Sequence, residues 1–220
     1  MNCLNKKVLV LIDGFNYYHK LANYQKNNNI CVKWLDYMSL MKASIKSHLQ
    51  TDNFDIEIIF FTAIATHRSI ESQYRHKTYL NALRKSGVKI VYGEFKEKYI
   101  YPCSECLQKQ PNEKLLRHEE KHTDVNVAIT MLEKAIMNEF NRVYLLSGDN
   151  DYVPVVKRVK KLFPEKEIII TPPPQRNYNV HSLVNASGEN GFYKFRWNQI
   201  RHFQFPDKYE DFENPWKIAQ

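Results

Sequence analysis

The stretch VYLLSGDNDYVPVVKRVKKLFP, residues 143–164, decides how the fold is read. Its first four residues are apolar without alternation, as in a strand covered on both faces within a parallel sheet. Ser147 and Gly148 let the chain turn. From Tyr152 to Leu162 the apolar residues then fall at helical spacing, with Pro154 tolerated in the first turn. A strand, a tight turn and a helix in so short a span make one unit of an alternating α/β chain. Between strand and helix stand two carboxylates, Asp149 and Asp151, and a solvated turn would carry them for no further reason.

The same kind of unit recurs. Near-continuous apolar runs lie at 7–12, 56–64, 88–95 and 167–171, and helical periodicity covers 68–86 and 123–139. The first of these helices ends at Ser86-Gly87, a plausible C-cap. In the second, Thr123 suits the N-cap, and Val125, Ala128, Ile129, Leu132 and Ile136 form one apolar face. The alternation predicts a three-layer α/β/α sandwich with a mainly parallel central sheet. Residues 96–122 are polar and interrupt the pattern, so they read as an insertion within a domain over 1–185. Residues 186–220, rich in aromatic and basic side chains, read as a C-terminal extension packed on that domain.

Composition narrows the function classes. The chain has 220 residues, 43% hydrophobic and 25% charged, with a formal net charge of +8. That balance is ordinary for a globular protein, and the excess of cations favours a polyanionic partner, nucleic acid first. No apolar run approaches the ~20 residues of a membrane span, so no membrane partner is expected. Asp13 interrupts the short apolar segment behind Lys6 and Lys7, and no small-residue cleavage site follows, which argues against a signal peptide. Four cysteines without a framework spacing do not suggest a secreted scaffold, and the expected location is cytoplasmic. With six glycines the chain offers neither a glycine-rich phosphate loop nor a dinucleotide fingerprint.

In open parallel sheets, ligand sites form beyond the carboxyl ends of the strands. Asp13 follows the first strand there, Asp149 and Asp151 follow a later one, and Asp124 opens the helix at 123. Any one of them could simply cap a helix. Four together repel, by roughly 4 kcal/mol for a pair ~4 Å apart at an effective dielectric of 20. A cation removes that cost, and hard oxygen donors without soft ligands suit Mg²⁺ or Mn²⁺. Asn16 could add a neutral oxygen. Such an ion acidifies a bound water and neutralises charge on a phosphate. Ser147, Lys121, Tyr17, Tyr152, Lys157 and Arg158 are the candidates for contact with substrate. The cations would grip phosphates, with Lys160 and Lys161 extending the basic rim, and the tyrosines, Tyr18 among them, would stack on bases.

Three segments, VLVLIDGFNYYH, EEKHTDVNVAITML and VYLLSGDNDYVPVVKRVKKLFP, together resemble the signatures of the NYN domain family, PIN-like nucleases related to the LabA group. The resemblance covers roughly residues 6 to 185. It implies a PIN-like fold, metal-dependent ribonuclease activity in several members, RNA as partner, and Asp13, Asn16, Asp124, Asp149 and Asp151 as active-site residues. A catalytically silent RNA-binding or regulatory module on the same fold is the alternative. A haloacid-dehalogenase-type phosphatase fits less well, because Phe15 stands where a second aspartate is needed.

Cys103-x-x-Cys106 followed by His118 and His122 lies one residue from the common two-Cys, two-His zinc spacing, with the two histidines one helical turn apart. The pattern admits a structural Zn²⁺ knuckle in the insertion or a reduced, unliganded loop.

Overall fold

The computed structural model describes residues 6–100, 114–175 and 179–217. Five strands, β1 (Lys6–Asp13), β2 (Phe54–Thr62), β3 (Lys89–Tyr92), β6 (Arg142–Leu146) and β7 (Glu167–Ile170), form one parallel sheet in the order β3-β2-β1-β6-β7. The near-continuous apolar runs have the predicted cause, since both faces are covered. Val8, Val10 and Ile12 of β1 belong to one buried cluster, and Leu9 and Leu11 to the other.

On the first face lie α1 (Gly14–Asn28), α2 (Tyr37–Leu49) and α3 (Ile70–Lys85). The second face is covered by α4 (Thr123–Ile136), α5 (Val153–Leu162) and α6 (His181–Ser187). This is the expected three-layer sandwich. Connections on one face serve β1, β2 and β3, and connections on the other serve β6 and β7. The strand order therefore reverses between β1 and β6, which leaves a crevice at the carboxyl ends of those two strands.

The run at 88–95 is two strands rather than one. Gly93 separates β3 from β4 (Glu94–Ile100), which pairs antiparallel with β5 (Leu115–Lys121) in a ribbon outside the main sheet. A side chain at Gly93 would meet the Lys121 carbonyl at 2.5 Å and Thr123 Oγ1 at 2.7 Å. The ribbon thus leaves the sheet where only glycine fits. It supplies the described part of the polar segment at 96–122.

Toward the C-terminus, α7 (Trp197–His202) and the short pair β8 (Lys208–Tyr209) and β9 (Phe212–Glu213) follow. Phe195, Ile200 and Phe205 enter the first-face core. Trp34 donates from Nε1 to the Pro206 carbonyl at 2.9 Å, and its ring meets Phe205 and Trp216 edge-on. Weak periodicity in this stretch reflects a chain that contributes single aromatic anchors rather than a continuous helical stripe.

The apolar face of α4 needs correction. Val125, Ile129 and Ile136, expected inside, are exposed (56%, 58% and 63%), while Val127, Met131 and Ala135 are buried. The helix is apolar nearly all round, so periodicity alone could not choose its rotation. Its N-terminus chooses. The N-cap is His122 rather than Thr123, and Glu120 accepts from the Thr123 amide (3.2 Å) and hydroxyl. Buried Thr123 fixes the phase, and residues at four-residue steps from it point inward. Met131→Ala should therefore lower unfolding free energy by about 2–5 kcal/mol, whereas Ile129→Ala should stay within about 0.5 kcal/mol; urea denaturation of the two variants checks the assignment.

Candidate active site

Asp13 is the last residue of β1 and caps α1. It is 5% exposed, and Oδ1 accepts the Asn16 amide at 3.0 Å. Oδ2 accepts the Ser147 hydroxyl at 3.0 Å and lies 3.1 Å from the Tyr152 hydroxyl. Asn16 reaches across the crevice in turn, with Oδ1 accepting the Gly148 amide at 3.1 Å. The loop after β6 is thereby fastened to the β1–α1 junction by side chains from both sides.

Tyr152 joins the third segment. Its ring is 1% exposed, and its hydroxyl donates to Asp124 Oδ1 at 2.7 Å. A tyrosine carries one proton, so the longer approach to Asp13 is a full hydrogen bond only when Asp13 itself is protonated or the bond to Asp124 is given up. Burial drives the electrostatics of the pair. It pushes the Asp13 carboxyl up to about 6, with the charge of Asp124 adding to the rise and the bonds from Asn16, Ser147 and Tyr152 opposing it. The Tyr152 hydroxyl is held well above its ordinary range, first by burial and then by the two carboxylates, so it stays a donor.

Asp149 and Asp151 take different places. Asp149 caps the single 3₁₀ turn Asn150–Tyr152, accepting from the Asp151 amide at 3.0 Å while its own amide donates to Ser147 Oγ at 3.1 Å. Asp151 is exposed. The four acids thus come to one edge, yet among the described residues no three His, Cys, Asp or Glu side chains are grouped as an ion cage. What is built is a pair, Asp13 and Asp124, joined through Tyr152.

The residues expected at the substrate take different places in the fold. Tyr17 is buried, its hydroxyl bonded to the Thr171 carbonyl at 2.6 Å, so its ring packs in the core. Tyr152 is likewise buried and acts through its hydroxyl. Ser147 is fully buried, with its hydroxyl engaged by Asp13 and Asp149. Lys157 and Arg158 are exposed on α5. Lys121, at the end of β5, pairs with Glu119 at 3.1 Å. His118 and His122 do not share a helix: His118 lies in β5 and stacks on His67 (4.0 Å between centroids), and His122 caps α4 with Nδ1 3.4 Å from Glu94. Cys103 and Cys106 fall outside the described residues.

These features have counterparts among known proteins. The family model of the NYN domain matches residues 7–189. The chain belongs to the NYN domain family and has its nuclease-like, PIN-like fold. A protein of unknown function from Vibrio parahaemolyticus RIMD 2210633, VPA0982, has a similar solved structure, with a TM-score of 0.54 at 18% identity. The similarity covers 89% of this chain and 96% of that one. The chain is also 26% identical over 177 residues to 6-hydroxy-3-succinoylpyridine 3-monooxygenase HspA of Pseudomonas putida (strain DSM 28022 / S16). That match covers 69% of this chain and spans about half, 54%, of the relative's length.

The raised Asp13 makes a thermodynamic prediction. Unfolded, the carboxyl ionises at its ordinary 3.8, and folded at about 6, so between those values the folded state binds the extra proton and stability falls as pH rises. At ~1.4 kcal/mol per tenfold change in proton affinity, the decrease is on the order of 3 kcal/mol and is complete above about pH 6. Wild type should lose this increment relative to Asp13→Asn in urea denaturation between pH 4 and 6.5. Parallel profiles for the two proteins would refute it.

Proposed function

We propose that the protein is a metal-dependent endoribonuclease, with Asp13 and Asp124 as the carboxylates that hold a Mg²⁺ or Mn²⁺ ion. The observation that carries this reading is the buried Asp13 carboxyl, held near Asp124 at the crevice between β1 and β6 with its ionised form disfavoured. A positive charge is what such a pair lacks. Mg²⁺ commonly takes only one or two carboxylates, completing its shell with waters and phosphate oxygens, so a two-acid donor set of hard oxygens fits it. An ion bound there would supply charge neutralisation at the scissile phosphate and acidification of a water.

The chain's own groups do the rest. Ser147, the Asn16 side chain and the Asn16 amide fix the position of Asp13 and the loop against it, so the site is organised before substrate arrives. Tyr152 donates to Asp124 and keeps the two carboxylates in register. Asp151, exposed on the loop, is assigned the proton of the attacking water as its oxygen bonds to phosphorus, while the bond to the strand's leaving oxygen breaks and that oxygen takes a proton from solvent. Lys157 and Arg158 draw the phosphate backbone toward the loop, a salt-sensitive contribution. The role of Asp149 is to hold Asp151 through the turn that it caps.

Cleavage of single-stranded and structured RNA with Mg²⁺, Mn²⁺ or EDTA tests this. Asp13→Asn and Asp124→Asn should each lower kcat by at least about a hundredfold, as expected for removing charge from a metal-assisted step. Metal-independent cleavage by wild type, or undiminished cleavage by either variant, would sink the mechanism. Lys157→Ala with Arg158→Ala should raise KM and reduce the salt slope of RNA binding by about two, one for each cation withdrawn from the phosphates. A further arm reads metal binding itself: Mn²⁺ should raise Tm at pH 7.5 more than at pH 5, where Asp13 is protonated, and should not raise it in Asp13→Asn.

A second reading is favoured by one observation, an aromatic-lined cavity beside Asp13 (below), taken with the activity in HspA's name. A small-molecule oxygenase would consume oxygen with 6-hydroxy-3-succinoylpyridine and leave RNA intact, and an oxygen electrode separates the two. RNA binding without cleavage would instead favour the silent module.

A further inference from the structure

A cavity of about 770 Å³ opens next to the carboxylates but does not include them. Its floor begins at Gly14, the residue after Asp13, and at Thr62, the end of β2. Asp13 pairs in register with Phe61, so Thr62 lies one residue further along the neighbouring strand. The walls come from α1, α3, the loop before α3 and the β4–β5 ribbon.

The ribbon wall is a run of rings. Phe15 meets Phe95 edge-on at 5.6 Å, Phe95 meets His67 at 4.9 Å, and His67 stacks on His118 at 4.0 Å and 5°. Half-buried aromatic rings facing an open volume are a platform for another flat ring. His67 Nδ1 is buried with no hydrogen-bond partner among the described residues, and buried polar atoms of this kind normally have one. On the opposite side His76 Nε2 lies 3.3 Å from Thr62 Oγ1. Burial pushes that imidazole down to about 4, so it is neutral and offers one donor and one acceptor.

Charge at the cavity is mixed. Lys33 sits over the rings of Tyr18 (5.9 Å) and Trp216 (5.1 Å), and Arg68 and Arg75 also line it. Against these stand Glu119, paired with Lys98 and Lys121, and Glu120, bonded to Thr123. Both acids are already engaged, whereas among the described residues the only ion pair of these cations is the long 3.9 Å pair of Arg75 to Glu71. A flat ring with hydrogen-bonding edges and an attached anion fits such a lining.

We infer that this cavity holds one unstacked nucleobase of the RNA strand, next to the scissile phosphate, between the Phe95–His67 rings and the His76–Thr62 edge. The proposal rests on the nuclease reading of the neighbouring carboxylates. It makes the cavity the position at which the enzyme is selective, because every base has a face to stack but each presents a different edge to His67 and His76.

The test is binding of short single-stranded RNAs carrying one abasic site, moved along the strand, to the full chain in EDTA by fluorescence anisotropy. One position should weaken binding about tenfold when its base is removed, a size typical of base–aromatic stacking, and the others by less than threefold. Phe95→Ala and, on the loop, His67→Ala should each flatten that profile while retaining wild-type melting temperature. His67→Ala alone suffices should Phe95→Ala not fold. A profile that is flat for wild type, or unchanged in the folded variants, overturns the inference. So does saturable binding of a free hydroxypyridine carboxylate, abolished in the same variants, together with a flat RNA profile, since the cavity then serves a small molecule. Because the scan needs no cleavage, a positive profile without nuclease activity would fault the reading of the carboxylates and leave the cavity assignment standing, and cleavage with a flat profile would do the reverse.

Discussion

Burial of Asp13 at the reversal of strand order organises the molecule around it. A carboxyl group there can exist only with donors aimed at it, a proton on it, or a cation beside it. The fold supplies the donors from two separate parts of the chain: the Asn16 amide at the start of α1 and the Ser147 hydroxyl in the loop after β6, with the Tyr152 hydroxyl close by while it donates to Asp124. These bonds close the crevice across the sheet's switch point and set the entry angle of α1. The remaining electrostatic cost is visible as the upward displacement of its titration, and under the proposed function an ion held by Asp13 and Asp124 would relieve it. Under that proposal stability and activity are opposed at this residue, as expected where a site is organised before its ligand arrives.

Tyr152 shows how one side chain can serve both layers of that design. Its ring packs with Val156, Val159 and Leu183 in the second-face core, and its hydroxyl emerges between two carboxylates. Rotation of α4 is coupled to the same point. Glu120 and Gly93 hold Thr123 down, and this brings Asp124 to the Tyr152 hydroxyl while turning Val125 and Ile129 outward. The exposed apolar residues on α4 are a consequence of where the helix must start.

The β4–β5 ribbon gives the site its asymmetry. On the β6 side the crevice is lined by the acidic loop and by the basic α5. On the β2 side the ribbon folds back to bring Phe95 and His118 against His67. The carboxylate pair and the ring-lined cavity therefore lie on either side of the β1–α1 junction, where Gly14 follows Asp13. A side chain at Gly14 would lie 2.6 Å from both the Phe60 ring and the Phe61 carbonyl, so the close approach of α1 to β2 depends on that residue having none.

The sequence by itself determined the layers, the parallel sheet and the sheet edge at which the acids gather. Unbroken apolar runs force burial on both faces, and acids directly after such runs must fall at the carboxyl edge. It also supplied Asp13, Asn16 and Asp124 as members of one site, through the spacing of three segments. Tertiary structure decided what spacing cannot encode. Periodicity could not choose between two apolar stripes on α4, because the choice is made by Glu120 and Gly93 outside the helix. Nor could it show that Tyr17 and Tyr152 turn inward, that Asp149 spends its carboxylate on a cap, or that His67, His76 and Phe95 meet around one cavity. Those residues lie on separate loops, helices and strands, and only the packing of the ribbon against the sheet brings their rings together.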